Sequence, residues 1–416
     1  MENSADHMDF DVLIIGAGLV GASLACALEK VLEKVLEKGS AQQGLRLALV
    51  ETHDLSQARD VPPSFDARAS ALSWGTCCIY DQLGLWSDLA DQAQAITDVH
   101  VSDKGSFGVS RLQASDEGVP ALGYVIKNHI LGDVLLNRLR DFQKQGSVTL
   151  FSPEAVESLQ PIPGGMKVQL SASEVTAALV VLADGGRSGL MEAMGIGQEL
   201  RDYHQHGVIA NIALDRPHHG MAWERFAGKG PLALLPLISD GEFQHRMGLV
   251  WTLPDEEVDA IYSLSDDDFL TLLQERFGFR AGRFLKVGKR DRYPLTMRIA
   301  KEQVRPGLVI LGNAAHAIHP VAGQGYNLSI RDTVALADNI STSLAEGVSV
   351  GDLGRLLEYQ QQQLSDQSLT GRFCDGLVHL FSRTDSAAIL ARNLGLVTLD
   401  YCHPVKSRFT RKAMGL

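Results

Sequence analysis

No C-x-x-C pair occurs among the five cysteines Cys26, Cys77, Cys78, Cys374 and Cys402, which stand scattered along the chain. An odd, unframed set argues against a disulfide scaffold or a structural metal and fits a reducing, cytoplasmic setting. A basic excess is missing too: 38 Lys and Arg stand against 50 Asp and Glu, for a formal net charge of -12. Phosphate attraction needs a basic surface, so no nucleic-acid partner is expected. Only Lys406, Arg408, Arg411 and Lys412 form a local basic cluster, which reads more simply as a solvated tail than as a site for anionic lipid. The opening residues MENSADHMDFD lack the positive start of a secretory signal. The run Val12 to Leu28 is almost uncharged and close to spanning length, but Gly16, Gly18 and Gly21 interrupt it. A buried strand, a turn and a buried helix are expected there, and no transmembrane segment.

What is present is an ordinary globular make-up, 45% hydrophobic and 21% charged over 416 residues, enough for two or three domains. Asp11–Ile15 reads as a strand, followed by a helix from about Leu19. Leu28, Val31, Leu32, Val35 and Leu36 share one helical face, and Gly39 is the expected stop. LRLALVE is a second strand ending on Glu51. Residues 127–145 read as a helix, and ALVVLADGGRS as a strand ending in a glycine turn. From about 205 to 295, GVIANIAL, GPLALLPL and HRMGLVWTLP read as antiparallel strands, with one helix near Asp266–Phe277. A glycine-rich strand and helix return at 308–346, and most of 352–400 reads as helical. The fold class expected is α/β (α+β overall), with an interleaved nucleotide domain carrying a mostly antiparallel β domain.

Gly16-Ala-Gly18-Leu-Val-Gly21 lies between a predicted strand and a predicted helix, the context that lifts a G-x-G-x-x-G match above noise. Gly16 permits the tight turn, Gly18 lets a pyrophosphate approach the backbone, and Gly21 lets the helix pack against the sheet. The helix N-terminus offers free N–H groups to the phosphates. Glu51 can accept from ribose hydroxyls, although it follows Gly21 by more than the usual spacing of about 20 residues. This motif alone does not separate NAD from FAD. Three further signals favour FAD. Arg68 stands where a guanidinium can reach the pyrophosphate or flavin edge, and Asp184-Gly185 ends a strand. The third is GNAAHAIHPVAGQGYNL, residues 312–328, where a helix expected near Asn327 follows Gly323-Gln-Gly325. A second helix N-terminus suits the flavin ring, whose reduction builds negative charge.

Those pieces, with FDARASALSWGTC, HVSDKG and ERFAGKGPLALLPL, resemble the class A flavin monooxygenases of the p-hydroxybenzoate hydroxylase type. Within that group the chain is similar to the ubiquinone-biosynthesis hydroxylases along nearly its whole length, most of all to the 2-polyprenyl-6-methoxyphenol hydroxylase branch. The resemblance implies a Rossmann-like FAD domain formed by 8–75, 106–188 and 290–350. It also implies a substrate domain formed by 76–105 and 189–289, and a helical region 351–416. It puts Gly16, Gly18, Gly21, Glu51 and Arg68 at the ADP half of FAD, and gives Asp184 and Gly185 contacts with FAD and NADPH. Gly312-Asn313 would meet the ribityl chain, with Asn313 where the family usually has Asp. An amide can still accept from and donate to a ribityl hydroxyl. Pro320, Gly323, Gly325 and Asn327 would border the flavin ring.

The implied reaction uses NAD(P)H and O2. Oxygen adds at flavin C4a as a hydroperoxide, and its distal atom passes to a polyprenylated methoxyphenol. The implied setting is cytoplasmic, with peripheral contact at the inner face of the cell membrane and with other ubiquinone-biosynthesis proteins. His316 and Pro320 are the candidate catalytic residues, but His316 and His319 read more simply as structure or polar lining. Packing likewise explains Trp223 and Trp251 better than substrate contact, and a surface pair with Glu224 explains Arg225. Cys77-Cys78 reads as buried and inert. The alternatives are a sister hydroxylase acting at another ring carbon, a flavin reductase or halogenase, and a non-catalytic flavoprotein subunit. The halogenase signature W-x-W-x-I-P is absent.

Overall fold

The computed structural model describes residues 8–37, 45–56, 68–227, 230–239, 241, 244–382 and 385–416. The expected stop at Gly39 lies outside them. The chain opens with β1 (Phe10–Ile15), α1 (Leu19–Glu37) and β2 (Leu47–Val50). Then come β3 (Ala69–Ser73), α2 (Trp74–Gln82), α3 (Trp86–Leu89), β4 (Gln94–Ile96), β5 (Asp98–Asp103) and β6 (Val109–Gln113). They lead to α4 (Ala114–Glu117), β7 (Gly123–Lys127), α5 (Asn128–Gln145) and β8 (Val148–Phe151). Next are β9 (Val156–Ile162), β10 (Gly165–Leu170), β11 (Glu174–Leu182) and α6 (Leu190–Ala193). The β-rich middle holds β12 (Gln198–Leu214), β13 (Met221–Phe226), β14 (Pro231–Leu237) and β15 (Arg246–Pro254). It continues through α7 (Asp255–Tyr262), α8 (Asp266–Phe277), β16 (Phe284–Val287) and β17 (Asp291–Ala300). The chain ends with β18 (Val304–Arg305), β19 (Leu308–Ile310), β20 (His316–Ala317) and α9 (Gln324–Glu346), then α10 (Leu353–Ser382), α11 (Ser386–Tyr401) and α12 (His403–Ala413).

The first sheet runs β18-β19-β11-β1-β2-β8, and its β19, β11, β1, β2 and β8 are parallel. Parallel strands are covered on both faces, so they read as continuous apolar runs: Val12, Leu13 and Ile14 are each 0% exposed. One face packs on α1, α5 and α9, whose Leu24, Leu28, Leu131, Leu135, Leu336 and Ile340 join a single core. Each fully buried Leu or Ile side chain contributes about 1.5–3 kcal/mol. The hairpin β9–β10 and α6 close the other face.

The second sheet runs β20-β17-β12-β15-β14-β13-β5-β6. It is antiparallel except where β13 meets β5. Val208, Leu232, Leu234, Leu249 and Trp251 point to α7 and α8 and form its core. A three-stranded sheet, β3-β7-β4, stands between the two.

Three expectations change. Helix α7 was not anticipated: only Val258 and Ile261 of its eight residues are buried, too few for a visible period, though its first turn carries Asp255, Glu256 and Glu257. Helix α9 begins at Gln324, a turn-length before Asn327, because Gly323 supplies the left-handed cap. Strands β6 and β17 fall in segments expected in the nucleotide domain, yet both hydrogen-bond into the second sheet.

Candidate functional site

Parallel pairing aligns Ile15 with Val50 and Leu182, and Leu182 with Ile310. The strand ends therefore release Gly16, Glu51, Ala183-Asp184 and Leu311-Gly312 along one edge, where open α/β sheets bind ligands. Gly16 has φ +101, and a Cβ there would stand 2.9 Å from Ala183 O. A Cβ on Gly21 would fall 1.9 Å from Gly16 O, so α1 can sit this close only without a side chain. Gly18 is half-exposed at the mouth of this turn. Glu51 is buried; its Oε2 accepts from Ala17 N at 2.8 Å and its Oε1 from His53 N at 3.1 Å. A carboxylate has further lone pairs, so a ribose hydroxyl can still donate to it.

The start of the second glycine-rich stretch, at Gly312, meets the first turn here. A Cβ on Gly312 would lie 3.1 Å from Val20 Cγ1 on α1, and one on Gly186 would lie 3.7 Å from Ala314 Cα. Asn313, the residue after Gly312, is exposed. Downstream, Ala322 (φ 60) and Gly323 (φ 61) are consecutive left-handed residues, both exposed, at the start of α9. A non-glycine residue in that region costs energy and marks a loop held for a purpose. Pro320 (φ -70) caps the same loop and is half-buried, as is Gly325. A Cβ at Gly325 would meet only Ile318 Cγ1, at an ordinary 3.5 Å.

Asn327 serves the loop differently from the expectation. Its Oδ1 accepts from Ser73 N, and its Nδ2 donates to Ala71 O and Gly323 O, all at 2.9 Å. With both donors used, it pins the loop to β3 and has no side-chain donor left for a cofactor. Asp184 is also turned inward: Oδ1 accepts from Gly186 N at 2.8 Å, and Oδ2 from Ser188 N at 2.8 Å and Arg187 N at 3.2 Å. It shapes the turn and leaves the glycine backbone of Gly185 (φ +73) half-exposed beside Gly16's strand end. Arg68 is exposed and lies over the Tyr293 ring, 5.9 Å from its centroid, on the second sheet.

His316 is 3% exposed, and its Nε2 meets Asp332 Oδ2 at 2.5 Å. Gln367 Nε2 donates to the same oxygen at 2.9 Å, and Gln303 Nε2 to Gln367 Oε1 at 3.0 Å. This interior chain locks β20 to α9 and α10, so His316 acts as structure. His319 accepts from Val321 N at 3.1 Å and meets Tyr203 edge-on at 4.9 Å; burial pushes it down to about 4, neutral at pH 7. Trp251 is 1% exposed and packs on Phe269, a core residue as expected. Arg225 and Glu224 sit on opposite faces of β13, which removes the expected surface pair.

The sequence reading missed a buried polar chain. Ser23 Oγ donates to Leu19 O at 2.6 Å and meets Tyr80 OH at 3.1 Å, and Tyr80 OH is hydrogen-bonded to Tyr326 OH. It joins α1, α2 and α9, which carry the two turns. Burial raises both phenols far above their usual range. The signal in sequence is weak, because Ser23 and Tyr80 sit in runs that read as plain apolar helix.

The arrangement fits FAD. The glycines stand where side chains would fill the cradle, Glu51 is placed beside the first turn, and an exposed left-handed loop sits at the second. A sequence profile described as "FAD binding domain" matches residues 9–364. The ubiquinone hydroxylase UbiL of Rhodospirillum rubrum is 34% identical over 99% of this chain and 91% of its own.

The chain belongs to the FAD binding domain family, among its ubiquinone-biosynthesis hydroxylases.

The 3-demethoxyubiquinol 3-hydroxylase of Escherichia coli (strain K12) is 28% identical over 98% of both chains. The mitochondrial ubiquinone biosynthesis monooxygenase of Homo sapiens is 26% identical over 96% of this chain and 91% of its own. In fold, the p-nitrophenol 4-monooxygenase PnpA of Pseudomonas putida superposes with a TM-score of 0.75 over 98% of each chain, at 19% identity. PqsL of P. aeruginosa gives 0.72 over 93% of this chain and 99% of its own, at 21% identity. The protein is an FAD-dependent monooxygenase of this hydroxylase family.

Proposed function

We propose that this monooxygenase hydroxylates the ring of a polyprenylated methoxyphenol in ubiquinone biosynthesis, with NAD(P)H as the electron donor and O2 as the oxygen source. The observation that carries the reading is the unequal packing of the second sheet. Leu232, Leu234, Leu249 and Val208 are fully buried against α7 and α8, whereas Ile209, Ala233, Leu235 and Val250 on the other face are half-open. That open face is apolar and shares a cluster with Ala71, the neighbour of Gly323. An apolar ring fits such a face, with few polar groups to orient it.

When bound, FAD supplies reduction by a nicotinamide and delivery of one oxygen atom to an electron-rich ring. The residues of the chain hold and shield it. Gly16, Gly18, Gly21 and Glu51 would take the ADP half, with Arg68 beyond them. Gly185, Gly312 and Asn313 would take the middle, and Pro320, Gly323 and Gly325 the ring. The N-terminus of α9 favours negative charge at the ring end. Helix α10 closes the loop from behind, with Cys374 Sγ on Val321 O at 3.7 Å, which excludes water from that side.

A prenylated substrate also calls for a lipid surface. No helix among the described residues is long and apolar enough to cross a membrane. The outer face of α11, however, exposes Leu390, Leu394 and Tyr401 at helical spacing, and α12 exposes Val405, Arg408, Arg411 and Lys412 beside it. Apolar and cationic groups side by side suit an anionic bilayer at its surface.

The test combines FAD-loaded protein, NADPH, 18O2 and a methoxyphenol with a short prenyl chain. Substrate-dependent NADPH oxidation with one 18O in the product is the expected result, and its mass spectrum gives the ring carbon. Peroxide alone, or no phenol-dependent turnover, would sink the reading. Flotation with anionic vesicles tests the surface.

A further inference from the structure

Strand β13 turns alternate side chains to opposite faces. Trp223 meets Phe277 of α8 with centroids 6.4 Å apart, and Arg225 Nη1 donates to Ser102 Oγ at 3.1 Å. Glu224, between them in sequence, therefore points to the half-open face with Ala222 and Phe226. Each of these neighbours leads to the loop that opens α9. Ala222 shares a cluster with Ala71, whose Cβ would be 3.6 Å from a Cβ on Gly323. Phe226 clusters with Leu377, which also packs with Val321.

Across the ladder Glu224 lies opposite Ala233 and Val101, and Ala233 lies opposite Val250. A half-buried carboxylate thus sits in an apolar wall, with no hydrogen bond or ion pair to it from the described residues. Of the nearby titratable groups, His100, Arg225 and Arg280 belong to the other face, where Arg280 Nη1 meets His100 Nε2 at 3.3 Å, while Asp103, on Glu224's side two residues from Val101, is held by Arg392 Nε at 2.7 Å. A carboxylate left without a partner among the described residues in such a place is suited to a hydrogen-bond donor on a ligand.

We propose that Glu224 accepts a hydrogen bond from the ring hydroxyl of the phenolic substrate and takes up its proton during hydroxylation. The phenol O–H bond breaks, its electron pair stays on the ring oxygen, and the proton goes to a Glu224 carboxylate oxygen. No net oxidation occurs in this step. The more electron-rich phenolate ring attacks an electrophilic oxygen more readily than the phenol. Burial lifts Glu224 to about 7, which brings it within about three units of a phenol near 10. A base near the working pH, in reach of the proton, is the useful kind. The proposal rests on the phenol-hydroxylase reading above and adds the residue that recognises and activates the ring hydroxyl.

Glu224→Gln keeps the shape and a carbonyl acceptor but cannot take the proton. It is compared with wild type, both FAD-loaded, on the short-chain prenylated methoxyphenol. The expected variant holds FAD normally, keeps KM within about threefold and loses about 100-fold in kcat. The acidic limb of the wild-type kcat/KM profile, near pH 7, disappears in the variant. Infrared difference spectra of wild type gain a protonated-carboxyl band during turnover with the phenol above pH 7, and E224Q shows none. Unchanged kcat and an unchanged pH limb in E224Q would overturn the assignment while leaving the hydroxylase reading intact. Should E224Q fail to fold, the wild-type infrared band decides: no carboxyl protonation during turnover overturns it. Wild-type protein that neither binds nor hydroxylates the phenol sinks both.

Discussion

Asn327 on α9 and Ser73 at the end of β3 are joined by a 2.9 Å hydrogen bond from Ser73 N to Asn327 Oδ1, across 254 residues of sequence. With the bonds from Asn327 Nδ2 to Ala71 O and Gly323 O, this one amide ties the left-handed loop to the strand beside it. The loop's unfavourable backbone at Ala322 is thus held by a side chain whose two amide donors are both used within the protein.

Asn327→Ala removes three hydrogen bonds at a 2% exposed site and leaves their main-chain partners unpaired. The expected loss of stability is about 3 kcal/mol. FAD should bind at least about 10-fold more weakly, which fluorescence quenching measures beside urea unfolding. Wild-type affinity would show that the loop holds its shape by other means.

Gly21→Ala places a methyl group 1.9 Å from Gly16 O and 3.3 Å from Ile14 Cγ2. Neither is a flexible side-chain end that can swing far, so α1 must move off the sheet. The cost is about 3 kcal/mol or more, with a colourless or weakly yellow protein. Absorbance at the flavin band per mole of protein reads the result.

The fold and the sites were unequally legible before the structure. The glycine turn at 16–21 and the strand before it are local demands, and they fall where expected. Glu51, Gly312 and Asn313 likewise reach the same edge. What spacing left open concerns partners: Asp184 caps its own turn, Asn327 clamps β3, and His316, read more simply as structure, pairs with Asp332. Each depends on which polar group folding brings near, which spacing along the chain does not encode.

His319 is 1% exposed and held down to about 4, chiefly by burial, against an ordinary 6.5. Between those values the unfolded chain takes up a proton that the folded one refuses, so stability falls as pH drops from about 6.5 to about 4. Above pH 6.5 both states are neutral and the effect vanishes. This residue alone removes as much as roughly 3 kcal/mol by pH 4. His319→Asn should flatten the fall, measured as the urea midpoint against pH.

The cysteines divide by burial. Cys26 and Cys374 are buried and pushed up to about 12, and Cys77 is raised further still, all chiefly by desolvation. Cys402 is half-buried on the surface helices. A thiol reagent at pH 8 should label Cys402 first and reach Cys26, Cys77 and Cys374 only on unfolding. Early labelling of Cys374 would mean that α10 opens from the loop.

The amino-acid order alone determined the dinucleotide cradle, the buried parallel strands and the alternation that gives the second sheet two faces. Those are properties of neighbours in sequence: where a side chain cannot fit, and which positions repeat with the period of a strand or helix. Tertiary structure decided that the two distant turns abut at Gly312 and Val20, and that Glu224 faces the open side of its sheet while Arg225 does not. The physical reason is that charge and hydrogen bonding act through space, and only the packed fold sets which groups lie within their reach.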